Sequence, residues 1–249
     1  MKINWLHSTI VCLSLLALSC GSDSNDAGVN PSGQGGSLAR FAISNNNLYV
    51  VGESELFGYN LDNPAVPAFT SSYTLGIDIE TIFVKGNYLY IGAETGMHIF
   101  DISDPDKLNK LSTYRHITNC DPVVVQGNIA YVTLRGGCGV SNNGNLLEII
   151  DVSNPAAPTK LSDYTELEEP YGLGIRGDYL YVCEGNYGLK IFNVSDPYSI
   201  KLENKLAIPS YDVIMTNDAR FILTGGDGIF QFDLSDPINP QLISEIPVL

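Results

Sequence analysis

One short phrase recurs five times along the chain, and each copy ends in a proline. The copies are, in chain order, "GYNLDNP" (58–64), "IFDISDP" (99–105), "EIIDVSNP" (148–155), "KIFNVSDP" (190–197) and "QFDLSDP" (231–237). Their final prolines are separated by 41, 50, 42 and 40 residues. A fixed period near forty residues is typical of architectures in which each repeat forms one small structural unit. The period constrains the fold more than the composition does.

Each period divides into four short β runs separated by turn residues, with no helical periodicity. In the second unit the runs are "ETIFVKG", "NYLYIGAE", "GMHIFDIS" and "KLNKLSTYRH", which we assign to strands A to D, counted outward from the centre. The pattern predicts an all-β fold, a five-bladed β-propeller of four-stranded antiparallel blades. The predicted repeats are 38–77, 78–118, 119–168, 169–209 and 210–249, and no strand is left over to be swapped between blades.

Alignment of the repeats predicts which side chains are buried between blades, because neighbouring blades cover both faces of the middle strands. One strand-B column contains Tyr49, Tyr90, Tyr131, Tyr181 and Phe221, and one strand-C column contains Leu56, Met97, Leu147, Leu189 and Ile229. A second strand-C column contains charged residues, and we expect it to face solvent: Phe57, His98, Glu148, Lys190 and Phe230.

The recurring phrase itself has a structural explanation. Its Asp or Asn closes strand C with a side-chain oxygen that can accept hydrogen bonds from nearby backbone N–H groups, and the proline fixes the turn to strand D. A ring of carboxylates that binds a metal would require these groups to converge. In a propeller they lie on the outer parts of five separate blades, so we assign the phrase to turn formation.

The phrases "EIIDVSNP", "KIFNVSDP" and "IFDISDP", at this period, resemble the LVIVD-repeat proteins. That family consists of bacterial surface or secreted β-propeller proteins, often lipoproteins. The resemblance covers 38–249 and implies export and a surface binding or adhesion role. It implies no catalytic activity.

The N-terminal segment 1–20 has the features of a secretory signal peptide. Lys2 precedes an apolar run, and the ending "ALSC" (17–20) resembles a bacterial lipobox, so we predict lipidation at Cys20. An ordinary cleaved signal is the alternative. Residues 21–37 are rich in Gly, Ser and Asn and predict a flexible tether. The predicted location is the bacterial outer membrane, facing the periplasm or the surface, with the lipid anchor as the only membrane contact.

Charge excludes one class of partner. Without its leader the chain has 12 Lys and Arg against 28 Asp and Glu, a net charge of −16. Such a surface repels nucleic acid and favours cations or a basic protein patch. We therefore expect a protein or a glycan at the cell surface as partner.

Three cysteines remain outside the leader, and an odd number leaves one thiol without a partner in the chain. Cys120 precedes strand A of the third blade, and Cys138 lies in the long loop "LRGGCGVSNNGNLL" of the same blade. A Cys120–Cys138 disulfide is the first assignment, and Cys138–Cys183 is the alternative.

The candidate ligand-binding residues lie where strand A begins, on the face that carries the variable loops. They are Arg40, Glu80, Asp121, Tyr171, Tyr211 and Asp212, with the loop acids Glu53, Glu55, Glu94, Glu184 and Asp227 further out. We expect the first set to surround the mouth of the central channel.

Three interpretations of this face stay open. It can bind a polar ligand or a basic protein segment, it can hold a Ca²⁺ ion, or its acids can simply be solvated. No catalytic residue is assigned, because His98 and His116 lack a partner at a recognisable spacing. A non-enzymatic module without a cofactor is therefore expected, with a lactonase-like hydrolase or a Ca²⁺-stabilised envelope component as alternatives.

Overall fold

The computed structural model describes residues 36–76, 79–93, 96–115, 122–136, 144–216 and 218–248. Within these ranges the chain is all-β, with five four-stranded antiparallel sheets arranged as a five-bladed propeller. Every sheet is built from four consecutive strands, so the predicted fold class and the unswapped blades are confirmed. The described part contains no helix long and apolar enough to cross a membrane. Cys20, Cys120, Asp121 and Cys138 lie outside the described residues.

The strands follow the repeat order, from the innermost to the outermost strand of each blade. They are, in blade one, β1 Phe41–Ser44, β2 Asn47–Val51, β3 Glu55–Asn60 and β4 Ala68–Thr74; in blade two, β5 Ile79–Lys85, β6 Tyr88–Ala93, β7 Gly96–Asp101 and β8 Asn109–Tyr114; in blade three, β9 Val123–Gln126, β10 Ile129–Leu134, β11 Leu146–Asp151 and β12 Thr159–Tyr164; in blade four, β13 Leu173–Arg176, β14 Tyr179–Cys183, β15 Leu189–Asn193 and β16 Lys201–Leu206; in blade five, β17 Asp212–Met215, β18 Arg220–Gly225, β19 Gly228–Asp233 and β20 Gln241–Pro247.

The Asp or Asn that ends strand C accepts a backbone hydrogen bond in all five blades, as predicted. The Asp or Asn before the proline forms a second turn of the same kind, which was not predicted. In blade two, Asp101 Oδ1 accepts a hydrogen bond from the N–H of Ser103 at 2.8 Å, and Asp104 Oδ1 accepts one from the N–H of Asp106 at 3.2 Å. The first of these acceptors in the other blades is Asn60, Asp151, Asn193 or Asp233. Asn and Asp serve equally because both provide an oxygen two residues before the donor.

The same turns also join neighbouring blades. Ser112 on β8 donates its hydroxyl to the carbonyl of Pro155 in the next blade at 2.6 Å, and Ser162 on β12 does the same to Pro197. Asn204 on β16 donates to the carbonyl of Ile238 in blade five. The proline turn is therefore also an acceptor for the outer strand of the preceding blade.

Four apolar clusters fill the spaces between consecutive blades, from the pair one–two to the pair four–five. The strand-C column that faces the following blade is fully buried at Leu56, Met97, Leu147 and Leu189, each 0% exposed. In these four blades the prediction is therefore confirmed for the face that lies toward the following blade.

The strand-C column with charged residues is buried, so the prediction that it faces solvent is wrong. His98, Glu148 and Lys190 are 3%, 7% and 4% exposed. They face the preceding blade, and each has a polar neighbour. His98 Nδ1 lies 2.9 Å from the Thr113 hydroxyl, and Glu148 lies 3.5 Å from Lys160. Burial of such groups is tolerated because their polar atoms are partnered.

Blade five departs from the alignment by one residue. In other blades the tyrosine of the strand-B column pairs with a fixed strand-C position, for example Tyr181 with Ile191. In blade five the residue at that strand-C position is Gln231, and it pairs with Ile222, not with Phe221. The turn between strands A and B is one residue longer in this blade, which moves Phe221 to the opposite face of the sheet. Phe221 is 0% exposed there, with its ring centroid 5.5 Å from that of Tyr181 in blade four.

The seam between blade five and blade one is built differently from the other four. Phe41 is 56% exposed, whereas its equivalents Ile82, Val123, Leu173 and Val213 are at most 2% exposed. Ile229 is 45% exposed, although the four other members of its column are fully buried. No fifth apolar cluster joins these two blades within the described ranges. The prediction that both faces of every middle strand are covered is therefore wrong for the two terminal blades.

Candidate functional site

The side chains that meet on the loop-bearing face come from three successive blades. Arg135 follows β10 of blade three, Tyr171 precedes β13 of blade four, and Tyr211 precedes β17 of blade five. The Arg135 guanidinium carbon lies 4.0 Å from the centroid of the Tyr171 ring. The rings of Tyr171 and Tyr211 meet edge to face at 5.1 Å between centroids and 76° between planes. Both geometries are favourable for aromatic rings, whose faces are electron-rich and whose edges are positive. We call Arg135, Tyr171 and Tyr211 the aromatic cluster.

Backbone hydrogen bonds fix the aromatic cluster to the scaffold. The Tyr171 N–H donates to the carbonyl of Cys183 at 2.8 Å, and the Tyr211 N–H donates to the carbonyl of Thr224 at 2.7 Å. The Gly172 N–H donates to the Tyr211 carbonyl at 2.9 Å, which joins blade four to blade five. The two rings are therefore held by the starts of adjacent inner strands.

A carboxylate completes this part of the face. The Tyr171 hydroxyl donates to Glu169 Oε1 at 2.9 Å, and burial together with this carboxylate raises the pKa of Tyr171. Gly185, at φ +52°, makes the close packing possible, because a Cβ there would lie 2.8 Å from both Tyr171 Cε2 and Glu169 Oε2. Tyr211 is 36% exposed, and Tyr187, in the loop between strands B and C of blade four, is 52% exposed.

A buried polar group lies next to the aromatic cluster. Glu184, counted among the outer loop acids in the sequence, is 0% exposed, so its assignment to the surface is wrong. Lys190 Nζ lies 2.9 Å from Glu184 Oε2 and 2.7 Å from Glu168 Oε2, and the Glu168 N–H donates to Glu184 Oε1 at 3.1 Å. Burial raises the pKa of Glu184 to about 7. The contact with Glu184 and Lys190 lowers the pKa of the more exposed Glu168.

Asp212 is an internal anchor rather than a side chain facing a ligand. Its carboxylate accepts the Ser37 hydroxyl at 3.2 Å and the backbone N–H groups of Val213, Ser37 and Leu38. Ser37 also accepts the N–H of Leu173 at 2.7 Å. Burial raises the pKa of Asp212 to about 6 despite these hydrogen bonds.

Glycine makes this anchor possible, because a Cβ at Gly36 or at Gly172 would overlap the Asp212 carboxylate. Ser37, which the composition places in the tether, is 1% exposed and belongs to the folded blades. The chain before β1 is thereby fixed to blades four and five.

The remaining predicted residues do not join the aromatic cluster. Arg40 turns to its own blade and donates to the carbonyl of Gly52 at 2.7 Å. Glu80 is half-buried in β5 and has an interaction partner. Asp121 lies outside the described residues. Of the six candidates, the structure brings Tyr171 and Tyr211 together in an exposed group and uses Asp212 inside the fold.

The central channel holds a cavity of about 430 Å³ that extends from Ser37 at the loop-bearing end to Asn45, Gly86 and Asn87 in the turns between strands A and B. Its walls are mixed, with apolar side chains such as Phe41 and Met215 beside polar groups such as Asn45 and Gln126, and Lys85 is the charged lining residue among those described. None of the described candidate residues lines this cavity. Ser37, in the segment before β1, lines the loop-bearing end of the cavity.

Cys183 is a free and fully buried thiol, so the alternative Cys138–Cys183 disulfide is absent. Burial raises the pKa of Cys183 well above its usual value, which keeps the thiol protonated. Across the described ranges, no three His, Cys, Asp or Glu side chains are grouped in a way that could hold a metal ion.

Two residues that the structure places on this face, Arg135 and Glu169, were not singled out from the sequence. Arg135 lies in the long loop "LRGGCGVSNNGNLL", and Glu169 is one of three glutamates in "ELEEP" (166–170). The only sequence signal for Glu169 is its position two residues before Tyr171. Arg135 has none, because its contact crosses from one blade to the next.

The comparisons with known proteins agree with the fold. The model of the LVIVD repeat matches residues 78–115, 119–166 and 172–206, which correspond to blades two, three and four. The fold and these repeats define a repeat-built β-propeller, and the chain belongs to the LVIVD-repeat family. No curated protein matches the chain.

Solved propellers resemble the chain in fold alone. A computationally designed protein, Ika8, superposes with a TM-score of 0.61 at 11% identity over 83% of this chain and 60% of its own. A functionally unknown protein from Desulfotomaculum acetoxidans DSM 771 gives 0.69 at 9% identity over 84% and 69%. BamB from Moraxella catarrhalis gives 0.57 at 12% over 76% and 56%. The chain thus spans between about half and two thirds of these proteins' lengths.

Proposed function

We propose that the protein is a non-enzymatic binding module, anchored by a lipid at Cys20 to the bacterial outer membrane, that binds its ligand on the loop-bearing face. The observation that carries this proposal is the aromatic cluster, in which Arg135 lies over the ring of Tyr171 and the rings of Tyr171 and Tyr211 meet edge to face. Rigid aromatic side chains held by backbone hydrogen bonds lose little conformational entropy when they contact a ligand.

The ligand class that fits this face best is a basic polypeptide segment. Tyr211 and Tyr187 offer exposed ring surface, on which Lys or Arg side chains can stack. Glu169 adds a carboxylate beside Tyr171. The whole chain has 28 acids against 13 Lys and Arg, so its field attracts cationic partners. A neutral glycan can contact the same tyrosine rings, but the negative charge of the protein does not attract it.

The binding test uses immobilised basic decapeptides and neutral oligosaccharides as probes for the purified protein. We expect retention on basic peptides that weakens as salt is raised, and a loss of about tenfold or more in affinity for Tyr211→Ala. Tyr198→Ala is the matched control, because Tyr198 is 69% exposed in a turn on the opposite face. Retention on oligosaccharides alone, or an equal loss for Tyr198→Ala, contradicts the proposal.

The anchor and the absence of catalysis have separate tests. Labelled palmitate is expected to enter the wild-type protein and not Cys20→Ala, and equal labelling of both refutes the anchor. A screen of lactones and glycosides is expected to show no turnover. Turnover that disappears in Asp212→Asn would favour the hydrolase alternative, because carboxylates are the usual acid–base groups in such reactions.

A further inference from the structure

The segment that leads from blade three into blade four rests on a buried ion pair. We call residues 166–171 the entry segment. Lys190 on β15 donates a hydrogen bond to the carbonyl of Glu166, and its Nζ lies 2.7 Å from Glu168 Oε2. The Glu168 N–H donates to Glu184 Oε1 at 3.1 Å, and Glu184 Oε2 lies 2.9 Å from Lys190 Nζ. Glu184 and Lys190 of blade four therefore hold both the backbone and a side chain of the entry segment.

The two carboxylates around Lys190 differ in their access to water. Glu184 is 0% exposed, whereas the side chain of Glu168 is 40% exposed. Two carboxylates that share one ammonium group repel each other when both are ionised, and burial disfavours the charge of the shielded one. The geometry therefore selects Glu184 as the group that takes up a proton when the pH falls. Its pKa agrees with this, because burial raises it to about 7.

The other charged or titratable groups near Glu184 come from four elements. They are Glu166 and Glu168 on the entry segment, Tyr164 on β12, Lys190 on β15 and Lys205 on β16. Hydrogen bonds from Glu184 and Lys190 lower the pKa of Glu168, and burial raises the pKa of Tyr164. The pKa of Lys190 is raised by its two carboxylates despite its burial. Of these groups, Glu184 is the one whose pKa moves toward neutrality.

The residues on either side of Glu184 contact the aromatic cluster. The Cys183 carbonyl accepts the N–H of Tyr171 at 2.8 Å, and Gly185 packs against the Tyr171 ring and the Glu169 carboxylate. Glu169 and Tyr171 themselves belong to the entry segment. Ionised Glu184 therefore adds a negative charge beneath this part of the face, and it attracts the lysine that holds the entry segment. Protonation of Glu184 removes both effects.

We propose that proton uptake by Glu184 regulates the loop-bearing face, which binds a basic polypeptide segment tightly when Glu184 is ionised and weakly when it is protonated. This inference rests on the proposed function, because it concerns the same face and the same class of ligand. Coupling between two bound species is reciprocal, so a cationic ligand favours the ionised carboxylate and expels a proton when it binds.

Isothermal titration calorimetry with N-acetylated deca-arginine tests the proposal. Arginine stays protonated at every pH used, so the charge of this probe does not change. We expect the wild type to bind it about fivefold or more weakly at pH 5.5 than at pH 8. Glu184→Gln has the shape of the protonated carboxyl group, and we expect it to bind at the weak level at both pH values.

Asp212→Asn is the control, because Asp212 is another buried carboxyl group with a raised pKa but is bonded to Ser37 and Val213 rather than to Lys190. It should keep the pH dependence of the wild type. An equal pH dependence in wild type and Glu184→Gln overturns the proposal, and so does its loss in Asp212→Asn. Circular dichroism checks that each variant is folded.

Proton release tests the coupling without any variant. At pH 7, the apparent binding enthalpy of the wild type should differ between two buffers of different ionisation enthalpy, in the direction that proton release requires. Equal enthalpies in the two buffers overturn the proposal. Binding of equal affinity at pH 5.5 and pH 8 also overturns it but leaves the proposed function intact, whereas no binding at either pH overturns both.

Discussion

Asp212→Asn separates the anchoring role of this side chain from any role in ligand binding. Burial raises the pKa of Asp212 from 3.8 to about 6, because its carboxylate is enclosed by the Gly36–Leu38 segment and blade four. The folded protein therefore holds the proton more tightly than the unfolded chain does between those two values. Stability from this group is fully present below pH 3.8 and is lost as the pH rises through 6.

The magnitude follows from the shift of about two units. At 1.36 kcal/mol per unit, the wild type loses about 3 kcal/mol between pH 4 and pH 7 through this carboxyl group alone. For a domain of about two hundred residues this corresponds to roughly 6–12 °C in melting temperature. An amide does not titrate, so Asp212→Asn lacks this component.

Urea unfolding followed by far-ultraviolet circular dichroism at pH 4, 5, 6 and 7 measures the effect. The unfolding free energy of Asp212→Asn relative to wild type should shift in favour of the variant by about 3 kcal/mol over that range. Asp233→Asn is the control, because Asp233 is an exposed turn residue and Asn occupies the same position in two other blades. Parallel pH profiles for wild type and Asp212→Asn would refute the buried anchor.

Three further predictions concern the interfaces between blades. Leu189→Ala should cost about 2–5 kcal/mol in urea unfolding because Leu189 is fully buried, whereas Leu202→Ala, 44% exposed on β16, should cost under about 1 kcal/mol; equal costs would contradict the packing. In the same unfolding curves, Ser112→Ala should lower the free energy of unfolding by about 1 kcal/mol, because it removes the hydrogen bond to Pro155 of the next blade. Ser244→Ala should change it by close to zero, because the Ser244 hydroxyl donates to Gln231 of its own blade. Glu184→Gln should gain stability relative to wild type as the pH rises from 4.5 through about 7, because burial raises the pKa of Glu184 and makes its ionisation costly in the folded protein. A difference in melting temperature between the two proteins that stays constant over this range would argue against a buried, titrating carboxyl group.

The fold could be predicted from the sequence because repetition supplies many independent copies of one pattern. Five proline turns fix the number of blades, and the Leu56-to-Ile229 column fixes the register of strand C in every blade. Phe221 was assigned to the wrong face because the turn between strands A and B is one residue longer in blade five. An aromatic residue at the aligned position hides this insertion in the sequence.

Burial was harder to predict than strand order. His98, Glu148 and Lys190 looked exposed because charge usually indicates solvent, but their partners come from other strands and loops that sequence alignment does not bring together. The exposed seam was missed for the opposite reason. Phe41 and Ile229 follow the buried pattern of their columns, and only the arrangement of the first and last blades leaves them uncovered.

The candidate site was predicted in part. Tyr171 and Tyr211 were found because inner strands of adjacent blades begin at the same end of a propeller, so equivalent residues are neighbours. The role of Asp212 depends on Ser37, which lies 175 positions away in the sequence and looked like part of a linker. Arg135 could not be found because its contact with Tyr171 crosses from a loop of blade three to blade four.

The central claim, that the aromatic cluster is the centre of a binding face, is tested most directly by one affinity comparison. Isothermal titration calorimetry with a basic decapeptide retained by the wild type should give an affinity about tenfold or more weaker for Tyr211→Ala, and an unchanged affinity for Tyr198→Ala. Equal affinity for wild type and Tyr211→Ala, with both proteins folded, would contradict the claim.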